Sequence, residues 1–249
     1  AKAGSLFVPI IGERVDAHRF LCQAIASGAA VVFTSEHHCG EDVKACVRQQ
    51  CGENREQERK ALQAAWIEVS DTKKALQDLG SFCRKRLSLS LVGITGSVGK
   101  TSTKEMIAAV LSQKYNTLKT QGNFNNELGL PLTVFRLRDE HEMAVLEMGI
   151  SDFGEMHRLA KIARPDTCVI TNIGLCHLEF LKSRDGILKA KTEIFDYLRE
   201  DGHILLNGDD DKLVTVQEVK GIQPVFFGIE NHQGIWADEI KPEGLKGIS

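Results

Sequence analysis

Leu89-Ser90-Leu91-Val92-Gly93-Ile94-Thr95-Gly96-Ser97-Val98-Gly99-Lys100-Thr101-Ser102-Thr103-Lys104 is the stretch that decides the fold. It opens on an apolar run of strand length, turns through two glycines and passes at once into a helical pattern. A strand feeding a helix through Gly96-Ser97-Val98-Gly99-Lys100-Thr101-Ser102 brings backbone N–H groups and a helix N-terminus to one point, where an anion would sit. The general phosphate-loop form G-x-x-x-x-G-K-[ST] is not met, because its first glycine would fall on Ile94. Strand before and helix after still supply the required context. A phosphate cradle is therefore expected rather than a plain glycine turn, with Lys100 reaching the β and γ phosphates and the Thr101 hydroxyl facing Mg²⁺.

From Leu87 onward, compact apolar runs alternate with helical patterns, the signature of βαβ units and a mainly parallel sheet. Strands are expected at Leu89 to Thr95, Met143 to Met148, Thr167 to Ile173, His203 to Asn207 and Pro224 to Gly228. Met106, Ile107, Val110 and Leu111 mark one helical stripe, and Phe153, Met156, Leu159 and Ala163 mark another. Upstream the apolar signal is short and broken: Leu6-Phe7-Val8, Ala29-Ala30-Val31-Val32-Phe33 and Trp66-Ile67-Glu68-Val69. The charged stretch Glu36 to Lys60 between them reads as exposed helix or loop. A helix capped by Ser70 or Asp71, with Ala75, Leu76, Leu79 and Phe82 inward, joins the halves. Two α/β domains are expected, a small one over 1–87 and a P-loop NTPase-like one over 88–249.

The chain has 249 residues, 42% apolar and 26% charged, with net charge −3, which places it among globular proteins without the basic field a nucleic-acid backbone requires. Arg84-Lys85-Arg86 is its one tight basic cluster and reads as favourable charge at a helix C-terminus. No apolar stretch approaches the roughly 18 to 20 residues of a membrane span. The N-terminus lacks a secretory signal order, so a cytoplasmic address is the default expectation. Seven cysteines at irregular spacing suggest free reduced thiols. His37, His38, Cys39, Cys46 and Cys51 lack paired C-x-x-C spacing, so a solvated polar insertion is preferred there to a zinc site.

A phosphate loop that works with a metal needs a carboxylate near it, usually at the end of a neighbouring strand. Glu147 ends the apolar run Met143-Ala144-Val145-Leu146; the alternative is an ordinary solvated strand-end carboxylate. His177 follows the strand that runs to Ile173, on the edge where parallel sheets bind ligands, although a lone histidine is more often structural. At about 100° per residue, Lys191 falls inside the stripe Ile187, Leu188, Ile194, Phe195 and Leu198 of a helix from Asp185 to Arg199. An inward lysine must snorkel, pair or lose its charge, and a neutral amine can take up CO₂ as a metal-holding carbamate. Snorkelling and carbamate stay evenly balanced on sequence alone. Gly122-Asn123-Phe124-Asn125-Asn126-Glu127-Leu128-Gly129 is rich in turn formers, and its asparagines could orient a nucleotide or acyl oxygen.

Gly96-x-x-Gly99-Lys100-Thr101-Ser102-Thr103-Lys104, Gly122-Asn123-Phe124-Asn125-Asn126, Leu146-Glu147-Met148-Gly149, Thr171-Asn172-Ile173-Gly174 with His177, and Ala190-Lys191-x-x-Ile194-Phe195 resemble, in order, the motifs of the Mur ligase family. The resemblance implies ATP-dependent amide-bond formation in peptidoglycan precursor synthesis. A substrate carboxylate attacks the γ-phosphate, and an amine displaces phosphate from the resulting acyl phosphate. It implies two Mg²⁺ ions: Thr101 and Glu147 at one, His177 and a carbamylated Lys191 at the other, with Asn125 a polar residue of the same site. The Asn125-Asn126 pair and Gly12-Glu13-Arg14-x-Asp16-x-His18 are most similar to the branch using UDP-N-acetylmuramoyl-tripeptide and D-alanyl-D-alanine. Arg14, Asp16, His18 and Asn126 are then expected at the substrate, and the protein as a monomer. The family's upstream Asp-Ser-Arg segment, its Gly-x-His-Asn-x-x-Asn motif, the adenine contacts and the C-terminal domain are not matched here. A fragment that does not turn over by itself is expected. Competing readings are a related ligase adding diaminopimelate or lysine, a folylpolyglutamate synthase, and a P-loop module that binds nucleotide without ligation.

Overall fold

The computed structural model describes residues 2–36 and 40–241. The chain divides into two compact units, Ala1–Leu79 and Gly80–Ser249. The division falls inside a helix, earlier than the 87/88 junction expected from composition, because Ser81 and Arg84 already bond to carbonyls of the second unit.

The first unit holds a parallel sheet of order β1-β2-β3, formed by β1 (Leu6–Phe7), β2 (Val31–Thr34) and β3 (Ala65–Glu68). Helices α1 (Leu21–Ala26), α2 (Gly40–Cys51) and α3 (Arg55–Ala61) connect these strands; α1 packs on β2, and α2 and α3 pack on α1 and on each other. The charged stretch is thus mostly helical, and it is more than a solvated insertion. Val47, Cys51 and Ala61 turn inward to join Leu21, Ile25 and Val32 in one core. The amphipathic face was hidden in the sequence because charged residues outnumber the few apolar ones along the stretch. His37, His38 and Cys39 of the zinc reading lie outside the described residues. Cys51, Cys83, Cys168 and Cys176 are free. Cys22 is disulfide-bonded, a departure from free thiols throughout.

In the second unit, β4 (Ser90–Thr95), β5 (Thr117–Lys119), β6 (Met143–Glu147), β7 (Thr167–Ile170), β8 (His203–Asn207), β9 (Val225–Gly228) and β10 (Ile235–Trp236) form one parallel sheet of order β10-β9-β8-β7-β4-β6-β5. β5 and β10 had no signal of their own, being three and two residues long. The connecting helices are α4 (Thr72–Lys85), which enters from the first unit, α5 (Lys100–Leu111), α6 (Gly129–Val134), α7 (Glu155–Ala163), α8 (Leu178–Leu181) and α9 (Arg184–Thr192). Asp71 caps α4, accepting from the Lys74 N–H at 3.0 Å. Leu91, Leu146, Met148, Leu159, Ile170, Ile187 and Ile194 fill the larger core on one sheet face; Val92, Ile94, Ala108, Val145 and Val169 form a smaller one under α5. None of the helices described is long and apolar enough to cross a membrane.

Three helical readings need correction. On α5 the buried residues are Lys104 and Ala108, while Met106 and Val110 are each 71% exposed. The stripe is rotated because Lys104, Ala108 and Leu111, three or four residues apart, share the face toward the sheet. On α4, Phe82 is exposed and Arg84 is buried. Arg84 donates to the carbonyls of Ala163, Leu87 and Leu89 at 2.9, 3.1 and 3.2 Å, so it is an internal tie rather than a solvated end charge. The helix expected from Asp185 to Arg199 is α9 followed by a 3₁₀ segment, Glu193–Tyr197.

Candidate active site

Parallel strands place their C-terminal ends on one edge, and ligands bind where the strand order reverses. Here β4 lies between β6 and β7, so the loop after β4 is flanked by Glu147 on one side and by Thr171 and Asn172 on the other. Gly96 and Gly99 take φ of 151° and 81°, conformations that L side chains rarely adopt. A Cβ on Gly96 would lie 1.9 Å from Thr171 Oγ1, so only glycine lets the loop approach the end of β7. Thr171 Oγ1 donates to the Val98 carbonyl at 2.6 Å, and Asn172 Oδ1 accepts from the N–H groups of Ser97 and Val98 at 3.0 and 2.9 Å. Ser97 Oγ accepts from the Gly174 N–H at 2.8 Å. The loop is thereby held open in shape, with Gly99 as a left-handed N-cap that offers no side-chain bond to the first N–H groups of α5. Those unsatisfied donors, at the positive end of a twelve-residue helix, form an anion cradle. The Lys100 ammonium lies over it, 2.9 Å from the Gly96 carbonyl and 3.3 Å from that of Ser97.

Beside the cradle, Thr101 Oγ1 donates to Glu147 Oε2 at 2.9 Å and Asn125 Nδ2 donates to Glu147 Oε1 at 2.8 Å. Glu147 is 3% exposed, so the solvated-carboxylate alternative does not describe it. A hydroxyl and a buried carboxylate, adjacent at the mouth of an anion cradle, are the hard oxygen donors Mg²⁺ takes, and they fit it. Three of the expected site residues, Thr101, Glu147 and Asn125, therefore meet in one place. Lys191 lies beneath the loop, 1% exposed, donating to the Gly96 carbonyl at 3.1 Å. Burial draws its ammonium down to about 8, with Cys176 opposing that shift and the charge of Lys100 adding to it. Thr95, just before the loop, keeps its hydroxyl fully buried without a hydrogen-bond partner among the described residues.

His177 is exposed in a left-handed conformation at the N-cap of α8, and its ring makes no hydrogen bond among the described residues. Its loop is anchored from below, where Asp210 Oδ2 accepts from the Ile173 N–H at 2.7 Å and Arg184 Nε donates to the Ile173 carbonyl at 2.9 Å. Asn126 lies two residues before the N-cap of α6, its Oδ1 accepting from the Leu128 and Gly129 N–H groups. In the first unit, His18 is buried with both ring nitrogens engaged. Its Nδ1 meets Asp16 at 2.6 Å, and its Nε2 accepts from the Ser35 N–H at 3.1 Å. Backbone and side-chain hydrogen bonds from His18 hold the Asp16 carboxyl below the usual range. Of Arg14, Asp16 and His18, the first two remain exposed to a ligand.

Sequence reasoning assigned no role to Lys104, Thr120, Thr171 or Asn172. Lys104 was the findable one: it stands one helical turn after Lys100, on the same face. The other three act through neighbours on segments far away in the chain, and a local motif such as Thr171-Asn172-Ile173-Gly174 does not say which neighbours those are.

With this geometry in place, two family models match the chain: the Mur ligase middle domain over residues 94–247, and the Mur ligase family catalytic domain over residues 1–83. The chain belongs to the Mur ligase family. This Mur ligase chain is 41% identical over 249 residues to the UDP-N-acetylmuramoyl-tripeptide--D-alanyl-D-alanine ligase of Bacillus subtilis, a match covering 98% of this chain and 50% of that protein. The crystal structure of MurF from Acinetobacter baumannii superposes with TM-score 0.82 at 33% identity, covering all of this chain and 52% of that one. The MurF ligase of Thermotoga maritima in complex with ADP gives 0.77 at 31% identity, covering 93% of this chain and 49% of that one. The Mur ligase chain spans about half the length of the relatives it matches.

Proposed function

We propose that this chain is the nucleotide-binding and UDP-substrate-binding part of an ATP-dependent ligase. The enzyme adds D-alanyl-D-alanine to UDP-N-acetylmuramoyl-tripeptide in peptidoglycan precursor synthesis. The observation that carries the reading is the meeting of the cradle at Gly96–Thr101 with Glu147 and Asn125, in a chain 41% identical to a ligase of that name.

Each residue's work follows from its surroundings. The N–H groups at the start of α5 and the Lys100 ammonium hold the phosphates and offset the charge that builds on them during phosphoryl transfer. Asn125 fixes one Glu147 oxygen, leaving the carboxylate aimed toward Thr101. Thr101 and Glu147 would hold one Mg²⁺, and His177 with Lys191 a second. The ions supply charge neutralisation and polarise the phosphoryl oxygens. Two features support a carbamate on Lys191. With its ammonium at about 8, roughly a quarter of the amine is neutral at pH 7.5, against roughly one part in a thousand for an ordinary lysine. CO₂ adds to that neutral nitrogen with loss of a proton, and an unpartnered hydroxyl lies on the strand that leads into the loop. Thr95 and Gly93 lie on one face of β4, the Gly93 face meets Ile194, and the Thr95 hydroxyl there is without a hydrogen-bond partner among the described residues. Arg14 and Asp16 are the exposed candidates for contact with the UDP-linked substrate, in a protein read as cytoplasmic and monomeric.

The full-length enzyme should release ADP and phosphate only when tripeptide and D-alanyl-D-alanine are both present. Equal turnover with diaminopimelate or lysine as the amine would assign it to another branch, and nucleotide binding without phosphate release would reduce it to a binding module.

A further inference from the structure

We propose that Lys104 is the resident counter-charge of Glu147, a positioning residue that makes binding of Mg²⁺ depend on the arrival of the nucleotide. The inference rests on the reading of Thr101 and Glu147 as metal donors.

Lys104 is 1% exposed and, with Lys191, heads the largest fully buried side chains. A lysine is rarely placed there without a charged partner. Its Nζ donates to the Thr120 carbonyl at 2.9 Å, lies 3.0 Å from Glu105 Oε1 and reaches within 4.0 Å of Glu147 Oε2. Thr120 is itself tied to the site, since its Oγ1 accepts from the Glu147 N–H at 3.0 Å and its own N–H donates to the Val145 carbonyl at 3.0 Å. Lys104 thus grips the residue that leads from β5 into the asparagine loop, and it faces the carboxylate which that loop's Asn125 holds. The charges alternate from surface to site: Lys119 pairs with Glu105, Glu105 with Lys104, and Lys104 with Glu147.

The electrostatic consequence is specific. Without nucleotide, Glu147 is the carboxylate that stands beside Thr101, and a fixed positive charge in a water-poor setting already offsets it. A divalent cation then gains little until phosphate oxygens bring further negative charge. Glu105 tunes the effect, because the fraction of Lys104 it neutralises is withheld from Glu147. Its side chain is 47% exposed, so it can be changed without opening the core.

The test is calorimetric titration of the nucleotide-free, full-length protein with Mg²⁺, with thermal melting as the control for folding. Lys104→Met should bind Mg²⁺ about tenfold tighter, and the gain in Mg²⁺ affinity on adding a non-hydrolysable ATP analogue should shrink by about the same factor. Glu105→Gln should move the other way, weakening Mg²⁺ several-fold. A folded K104M with unchanged Mg²⁺ affinity overturns the proposal. Should K104M not fold, E105Q decides, and unchanged affinity there overturns it. Glu147→Gln separates the two levels: if it loses Mg²⁺ binding while K104M and E105Q match the parent, the metal reading stands and this inference falls. Unaltered binding in E147Q removes both.

Discussion

Lys191 shows how a single residue carries information in its phase along a helix. Its inward direction could be read from the stripe around it, whereas its depth and its acceptor, the Gly96 carbonyl, could not. The depth has a thermodynamic consequence. The folded ammonium sits at about 8 and the unfolded one near 10.5, so between those values the unfolded chain binds more protons. Stability should therefore be fully present above 10.5 and be lost as pH falls through the window to about 8, by no more than roughly 3 kcal/mol. In CO₂-free buffer, where the amine carries no carbamate, denaturant midpoints of wild type and Lys191→Met compared from pH 7.5 to 10.5 should show this slope in wild type alone. A wild type whose midpoint tracks the methionine variant at every pH would remove the buried-amine account. Carbamate on Lys191 predicts a second signature: a ¹³CO₂-derived carbonyl resonance that disappears in Lys191→Ala, with activity of the full-length enzyme partly restored there by a short carboxylate. Lys104 escaped the same phase reading because Met106 and Val110, though exposed, present a competing apolar pattern one step around α5.

At the scale of elements, the phosphate loop is shaped less by its own sequence than by the end of β7. Its glycines announced a tight turn, but the reason for Gly96 is the Thr171 hydroxyl that a Cβ would strike. Gly96→Ala must either push Thr171 off the Val98 carbonyl or lift the loop away from Asn172. Both disturb the N–H groups at the start of α5. The substitution should cost about 1–3 kcal/mol of stability for the strained backbone. It should also weaken ATP by at least about tenfold, the loss expected for one misplaced charge-assisted hydrogen bond. Calorimetry with ATP and a urea melt check the two figures, and retained affinity would show that the contact with β7 does not set the loop. The split of the expected Asp185 to Arg199 helix belongs to this scale too. The chain tightens to a 3₁₀ turn just after Lys191, where Ile194, Phe195 and Leu198 all enter the core.

Over the whole second unit, the parallel sheet separates stability from chemistry by edge. The site occupies the C-terminal ends of β4, β6 and β7, whereas Arg84 ties the opposite ends. It binds carbonyls around the start of β4 and lies 3.5 Å from Asp166, which accepts from the Leu91 N–H. Burial lowers the Arg84 pKa, with the Asp166 charge opposing. Arg84→Met leaves several buried carbonyls and a carboxylate short of partners, and should lower stability by about 3 kcal/mol. Below its melting temperature the variant should still bind ATP with unchanged affinity; a matching loss of affinity would show that the two edges are coupled. The sequence alone determined what depends on near neighbours in the chain: the alternation of strands and helices, the cradle after β4, the carboxylate ending β6 and the inward lysine of α9. These follow from short-range periodicity and backbone preference. Tertiary structure decided which strand lies beside which, and with it the grip of Thr171 and Asn172 on the loop, the meeting of Thr101 with Glu147 and Asn125, and the burial of Lys104 between two carboxylates. Those depend on pairing between segments dozens of residues apart, chosen by how all the helices bury their faces on the sheet at once.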